Sequence, residues 1–201
     1  METIYVVVLF LAYAGLWAFK RRGQMKSTGV DPDVLGAATS SVQVFFAHAT
    51  TVLTGAMVFL ITAHGSGIQY FSLFSRFPLL DGPVYDHAGF LAGIAGLALC
   101  FIAQRQMKTS WRVGIDERTR TDLVDTGLYR FIRNPTYLGL FLVCAGTWII
   151  WPTWTIALFG IVFYLLLEVQ VRCEEDFLLR THGDMYRAYM EETKRYIPGI
   201  Y

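Results

Sequence analysis

Two short stretches of this 201-residue chain carry residue types that could bind and orient a reacting molecule. The first is Arg133-Asn134-Pro135-Thr136-Tyr137. Asn134 suits the cap of a helix and Pro135 its first position. A helix start offers free N–H groups and a partial positive charge, and Arg133 beside it makes a ready anion site. The plainer reading is a transmembrane helix start with Arg133 as its basic anchor. The second stretch holds Glu168, Arg172, Glu174, Glu175 and Asp176. Glu168, Arg172 and Glu175 fall at i, i+4 and i+7 and share one helical face, with Glu168 before Arg172 in the favourable order for an ion pair. The plainer reading here is an ion-pair network closing a helix among lipid headgroups. Against it, Glu168 follows Leu165-Leu166-Leu167, and ionisable groups at such depth usually face a cavity or a partner.

Both stretches must be positioned by membrane helices. Hydrophobic residues make up 54% of the chain and charged residues 16%, with a mean hydropathy of +0.42; soluble domains carry roughly 25% charged residues. The length suits one membrane domain over 1–201, three N-terminal spans in 1–103 and a loop, hairpin and tail in 104–201. The fold class expected is all-α and polytopic, with about five spans: Ile4–Phe19, Val42–Ala63, Val84–Ala103, Pro135–Ile150 and Thr153–Val169. Glu2 precedes the first span and Lys20-Arg21-Arg22 follow it, the flanks of an anchor rather than a cleaved signal. With the N-terminus outside, segments 20–41, 104–134 and 170–201 hold 16 of the 17 basic residues, and Arg76 alone lies outside. That bias places the C-terminus and both candidate stretches on the cytoplasmic face.

Trp151-Pro152-Thr153-Trp154 predicts a tight outer turn, with both Trp at interface depth and an antiparallel hairpin on either side. The hairpin brings Asn134 and the Glu168 face to one depth. Gly89, Gly93 and Gly96 predict close approach of a neighbouring helix. The segment 65–82, with Tyr70, Phe71, Phe74 and Phe77, reads as interfacial. His48 is expected to hydrogen-bond across helices. The tail Asp176–Tyr196 reads as an amphipathic helix broken near Gly183, with Tyr186, Tyr189 and Tyr196 as interface anchors. Cys100, Cys144 and Cys173 are widely spaced and read as free packing thiols. His48, His64, His87 and His182 are equally dispersed, so no metal site is expected.

These features describe a polar pocket at one end of a helical bundle, suited to a zwitterionic soluble cofactor meeting a lipophilic substrate. The run from Leu123-Val124-Asp125-Thr126-Gly127-Leu128-Tyr129 through Arg133-Asn134-Pro135-Thr136-Tyr137 resembles a known pattern, LV-x-x-G-x-Y-x-x-x-R-H-P-x-Y. Glu174-Glu175 and then His182-Gly183-Asp184-Met185-Tyr186-Arg187-Ala188-Tyr189 resemble its E-E…F-G-x-x-Y-x-x-Y. Ser110-Trp111-Arg112 and Pro198 match flanking elements. The pattern is that of the isoprenylcysteine carboxyl methyltransferase and phospholipid methyltransferase family. The resemblance covers residues 108–199 and implies methyl transfer from S-adenosylmethionine to a lipophilic carboxylate, amine or thiol. It implies partners in the bilayer, a lipid or lipophilic small molecule, and no nucleic acid. It further implies Thr121, Asp122, Leu123, Val124, Gly127, Tyr129, Arg133, Asn134, Pro135, Tyr137, Glu174 and Glu175 as cofactor-binding residues. Arg172 becomes the candidate for holding the acceptor, and Glu168 or Glu175 the candidate proton acceptor for an amine or thiol.

One position departs from the pattern: Asn134 stands where the family has His. Asn can cap and hydrogen-bond but cannot carry a proton near neutral pH, so a structural role for this position is expected. Two other readings remain open. A membrane sterol-type reductase would use NADPH, with Arg112, Arg118 and Arg120 available for its extra phosphate. A non-catalytic lipid- or partner-binding protein would keep the fold alone.

Overall fold

The computed structural model describes residues 1–67, 72–116 and 121–199. Tyr70, Phe71, Arg118 and Arg120 lie outside them. The described residues form six α-helices: α1 Glu2–Thr28, α2 Ser41–Gly65, α3 Pro83–Gln106, α4 Pro135–Ile150, α5 Trp154–His182 and α6 Asp184–Glu192. The helix starts follow local chemistry: Pro83 and Pro135 occupy first-turn positions, and the Thr153 hydroxyl caps α5 by accepting from the Ile156 N–H at 3.4 Å. α1 stops at Gly29, whose φ of 71° lets its N–H reach the Met25 carbonyl. Gly183, at φ 58°, breaks α5 from α6 where the sequence predicts it.

α1, α2, α3 and α5 are each long and apolar enough to cross a membrane. α4, with 16 residues, is shorter; at 1.5 Å per residue it extends about 24 Å. The distribution of side chains is that of a protein solvated by lipid. Leu11, Phe19, Val52, Phe59, Leu158 and Ile161 face outward, while Gln24, Gln43, Gln104, Gln170, Glu168 and Glu175 are buried. Burying polar groups and exposing large apolar ones is unfavourable in water and expected in a bilayer.

The helices alternate in direction, so one end gathers the α1–α2 link, residues 107–116 and 121–134, and the tail. This is the basic end. α4 packs chiefly on α3, in antiparallel register. A Cβ on Gly96 would lie 2.5 Å from the Gly139 carbonyl, and one on Gly146 would collide with the Gly89 carbonyl. Gly93 admits the Leu9 side chain of α1 instead. The glycines thus seat two different neighbours.

At the opposite end, Val6, Leu9, Leu60, Ile150, Trp151 and Ile156 form a buried cluster. Arg76, the outlying basic residue, is paired there with Glu2, Asp81 and Asp86. The Trp151-Pro152-Thr153 turn forms as expected, but its Trp residues differ. Trp154 is exposed, whereas Trp151 is 3% exposed and stacks on the His64 ring at 4.8 Å. His48 also departs from expectation: its Nδ1 pairs with the Val44 carbonyl of its own helix at 2.7 Å, and the residue is exposed. One turn of helix supplies the partner that a neighbouring helix was expected to give. The tail tyrosines turn inward too, with Tyr186, Tyr189 and Tyr196 only 1%, 9% and 5% exposed. They are packing and hydrogen-bonding groups of the basic end, not interface anchors.

Candidate active site

The site is built on the loop that leads into α4. The segment Lys108–Ser110 docks on α1, where the Gln24 amide donates to the Thr109 and Trp111 carbonyls at 3.1 and 3.0 Å. The Ser110 hydroxyl then donates to the Asp122 carbonyl at 3.2 Å, returning the loop to the bundle. Gly127 is fixed by sterics, because at φ 65° its Cα faces the Gln106 amide and a Cβ would lie 2.5 Å from it. That amide accepts the Leu128 N–H at 2.8 Å.

From Phe131 onward the loop pairs with the chain's own tail as a short parallel bridge between Ile132 and Lys194. The Arg133 N–H donates to the Lys194 carbonyl at 2.8 Å and the Asn134 N–H to the Arg195 carbonyl at 3.1 Å. The Tyr189 hydroxyl of α6 donates to the Tyr129 carbonyl at 2.6 Å. Burial pushes the Tyr129 and Tyr189 phenols above their ordinary range, so both stay protonated throughout the physiological range and Tyr189 remains a donor.

Between this loop and α6 lies a cavity of about 550 Å³, bordered by Leu123, Asp125, Gly127 and Arg130 on one side and Tyr189 and Glu192 on the other. Its size falls within the roughly 300–1,000 Å³ of small-molecule sites. Leu123 and Gly127 were marked in the sequence; Asp125, inside the same motif, and Arg130 and Glu192 were not. Thr121, Asp122 and Val124 lie on the same loop without bordering the cavity.

Three residues after Arg130, Arg133 donates to the carbonyl of Thr193, which also borders the cavity, at 2.5 Å and to Glu175 Oε1 at 3.1 Å. Asn134 occupies the cap position before Pro135, but its side chain does not cap α4. Its amide instead donates to Glu175 Oε1 at 3.0 Å. This corrects the capping role expected for it: the bond from its NH2 to a buried carboxylate 41 residues away orients the side chain, and its oxygen accepts from no N–H of the first turn. Arg195 donates to Glu175 Oε2 at 2.7 and 3.1 Å. Four N–H donors therefore fix the Glu175 carboxylate.

The acidic face of α5 continues upward. Glu168 Oε1 accepts from Arg172 at 2.8 Å and from Arg195 at 3.3 Å, and Oε2 from the Tyr196 hydroxyl at 2.6 Å. The predicted Glu168–Arg172 pair is thus formed, with Arg172 on its exposed side, 58% accessible. Glu174 faces a second direction. It accepts from Tyr137 at 2.5 Å and Gln170 at 2.9 Å, and Gln170 accepts from Gln43 at 2.9 Å. Gln43 in turn accepts the Ile115 N–H at 3.0 Å, tying α2, α4, α5 and the 111–116 loop together. Arg112, marked for a possible phosphate, is engaged with Asp116 at 3.4 Å and with the Thr109 and Trp111 carbonyls.

The sequence marked one side of this site and missed the other. Arg195, Gln43 and Gln170 were not among the site residues expected, and Tyr196 was expected as an interface anchor; the local sign at 195 and 196 is their position just before Pro198.

A helical membrane bundle that carries these two motif blocks at one end defines a class of membrane methyltransferase folds. The sequence profile of the phospholipid methyltransferase family matches residues 85–185, just over half of the chain, and the chain belongs to that family. Curated relatives include the protein-S-isoprenylcysteine O-methyltransferases of Schizosaccharomyces pombe (30% identical over 79 residues, 39% of this chain and 34% of that one) and Dictyostelium discoideum (31% over 90 residues, 43% and 38%). The match therefore spans little more than a third of those relatives' length. The solved structure of the eukaryotic intramembrane Ras methyltransferase, isoprenylcysteine carboxyl methyltransferase, superposes with a TM-score of 0.60 at 20% identity, over 98% of this chain and 68% of that one. That likeness shows the fold.

Proposed function

We propose that the protein transfers a methyl group from S-adenosylmethionine to a lipophilic carboxylate, at a basic end that faces the cytoplasm. The observation that carries this reading is the cavity between the motif loop and α6. Two carboxylates, Asp125 and Glu192, and one guanidinium, Arg130, border it beside apolar Leu123 and Met185. That set complements a molecule bearing ammonium, sulfonium and carboxylate groups on an apolar and hydroxylated frame. The residues present fit the cofactor. Leu123, Asp125, Gly127, Arg130 and Glu192 would hold it, with Tyr129, Arg133, Asn134 and Glu175 as the wall behind, and once bound it supplies an electrophilic methyl group.

The chain's own residues then have modest work to do. Aligning two reactants and excluding water supplies roughly 7–11 kcal/mol in favourable cases. Arg172 is exposed enough to meet an acceptor at the bundle's rim, and a guanidinium suits a carboxylate through paired hydrogen bonds. Glu168 and Glu175 are both held by arginines, which favours an acceptor that needs no proton removed. The isoprenylcysteine O-methyltransferases among the relatives point the same way. The 16-to-1 distribution of basic residues supports the cytoplasmic placement of this end.

Membranes containing the protein, supplied with methyl-labelled donor, test the acceptor. N-acetyl-S-farnesylcysteine should become a base-labile methyl ester, while phosphatidylethanolamine and a lipophilic thiol should stay unlabelled. Label on the amine lipid in its place would replace the carboxylate reading with a phospholipid one.

A further inference from the structure

The tail segment Thr193–Tyr196 crosses beneath both arms of the α4–α5 hairpin, and its side chains reach residues on which the proposed reaction depends. Its backbone is bridged to Phe131, Arg133 and Asn134, so it is held at the very start of α4. From there Arg195 reaches both Glu168 and Glu175. These carboxylates lie seven residues apart on one face of α5, about 10 Å along the axis. Arg195 and Arg172 share the same oxygen of Glu168, and Tyr196 holds the other. The tail therefore holds the same carboxylate that Arg172 binds.

We propose that Arg195 and Tyr196 are positioning residues: Tyr196 orients the acceptor side through Glu168, and Arg195 couples that side to the cofactor wall through Glu168 and Glu175 together. This rests on the methyltransferase reading above. The two residues are separable in their effects. Tyr196 donates to Glu168, and its ring packs edge-on against Phe141 at 5.2 Å, a contact that phenylalanine would keep. Arg195 bonds to both carboxylates, and a lysine ammonium lacks the fork to span them.

The test uses the purified full chain in nanodiscs, with S-adenosylhomocysteine affinity measured by calorimetry and acceptor kinetics measured with N-acetyl-S-farnesylcysteine. Tyr196→Phe should raise the acceptor KM about tenfold, the scale of one lost hydrogen bond to a charged group. Its S-adenosylhomocysteine affinity should stay within about twofold of wild type, the margin expected where no contact to the wall is lost. Arg195→Gln should weaken both, and Arg195→Lys should fail to restore both together. Equal loss of both parameters in Tyr196→Phe, or no loss in either variant, would overturn the proposal. So would full restoration by lysine. If Arg195→Gln does not fold, the Tyr196→Phe split decides alone. A wild-type protein that neither binds S-adenosylhomocysteine nor esterifies the acceptor would instead remove the methyltransferase reading, and this proposal with it.

Discussion

Glu175→Ala is expected to be the most damaging single change at the basic end. Its carboxylate is 6% exposed at the side chain and accepts from Arg133, Asn134 and Arg195. Removing it leaves two guanidiniums, 10% and 15% exposed, facing each other without their shared anion. Breaking a buried pair in this way costs about 3–5 kcal/mol. For a chain of this size that corresponds to a fall in melting temperature on the order of 10 °C. The loop before α4 would lose its side-chain tie to α5, while the tail would keep its second tie through Arg195 and Tyr196 on Glu168. Thermal scans of the purified variant check the loss of stability. S-adenosylhomocysteine affinity, falling at least about tenfold if the wall opens, checks the link to the site. Glu175→Gln keeps the shape and one acceptor oxygen, so it should lose less than Glu175→Ala. A Glu175→Ala protein as stable as wild type would show that the network carries little of the fold.

Gly96→Leu is expected to prevent assembly of the α3–α4 pair altogether. The new Cβ would stand 2.5 Å from the Gly139 carbonyl and 2.9 Å from the Val143 nitrogen, both backbone atoms that no rotamer change can move. Helices in a bilayer associate through such close packing, and overpacking of this kind costs about 1–3 kcal/mol or more even where neighbours can yield. The matched control is Gly15→Ala on α1, where a Cβ meets nothing within 4 Å. There the substitution should be neutral or slightly stabilising, because alanine is the better helix former by about 1 kcal/mol. Yield and monodispersity on size exclusion separate the two. Equal behaviour of both variants would count against the glycine seam.

The contrast between those two glycines also shows what the sequence made legible. Helix positions followed from apolar length, the start of α4 from Pro135 and the break after α5 from Gly183, because these act within a few residues of themselves. The seam of Gly89, Gly93 and Gly96 was visible as spacing, though not that Gly93 serves α1 while its neighbours serve α4. The pairing of Glu168 with Arg172 was visible because one helical turn enforces it. What escaped depends on contacts across the chain. Asn134 passed as a cap because its partner, Glu175, lies 41 positions away. Tyr186, Tyr189 and Tyr196 passed as membrane anchors because an amphipathic tail looks the same whether its aromatic side meets lipid or protein. Arg195 was one of sixteen basic residues assigned to orientation, and only the bridge between Ile132 and Lys194 gives it a place between two carboxylates.

The most direct test of the central claim is the thermal stability of the detergent-purified protein, with S-adenosylhomocysteine and separately with NADPH. A ligand that binds only the folded state adds about 2.7 kcal/mol at a hundredfold excess over its dissociation constant. S-adenosylhomocysteine should give a clear upward shift and NADPH none. A shift with NADPH alone would contradict that claim and point to a reductase. No shift with either would contradict it as well, leaving a methyltransferase fold that binds no methyl donor.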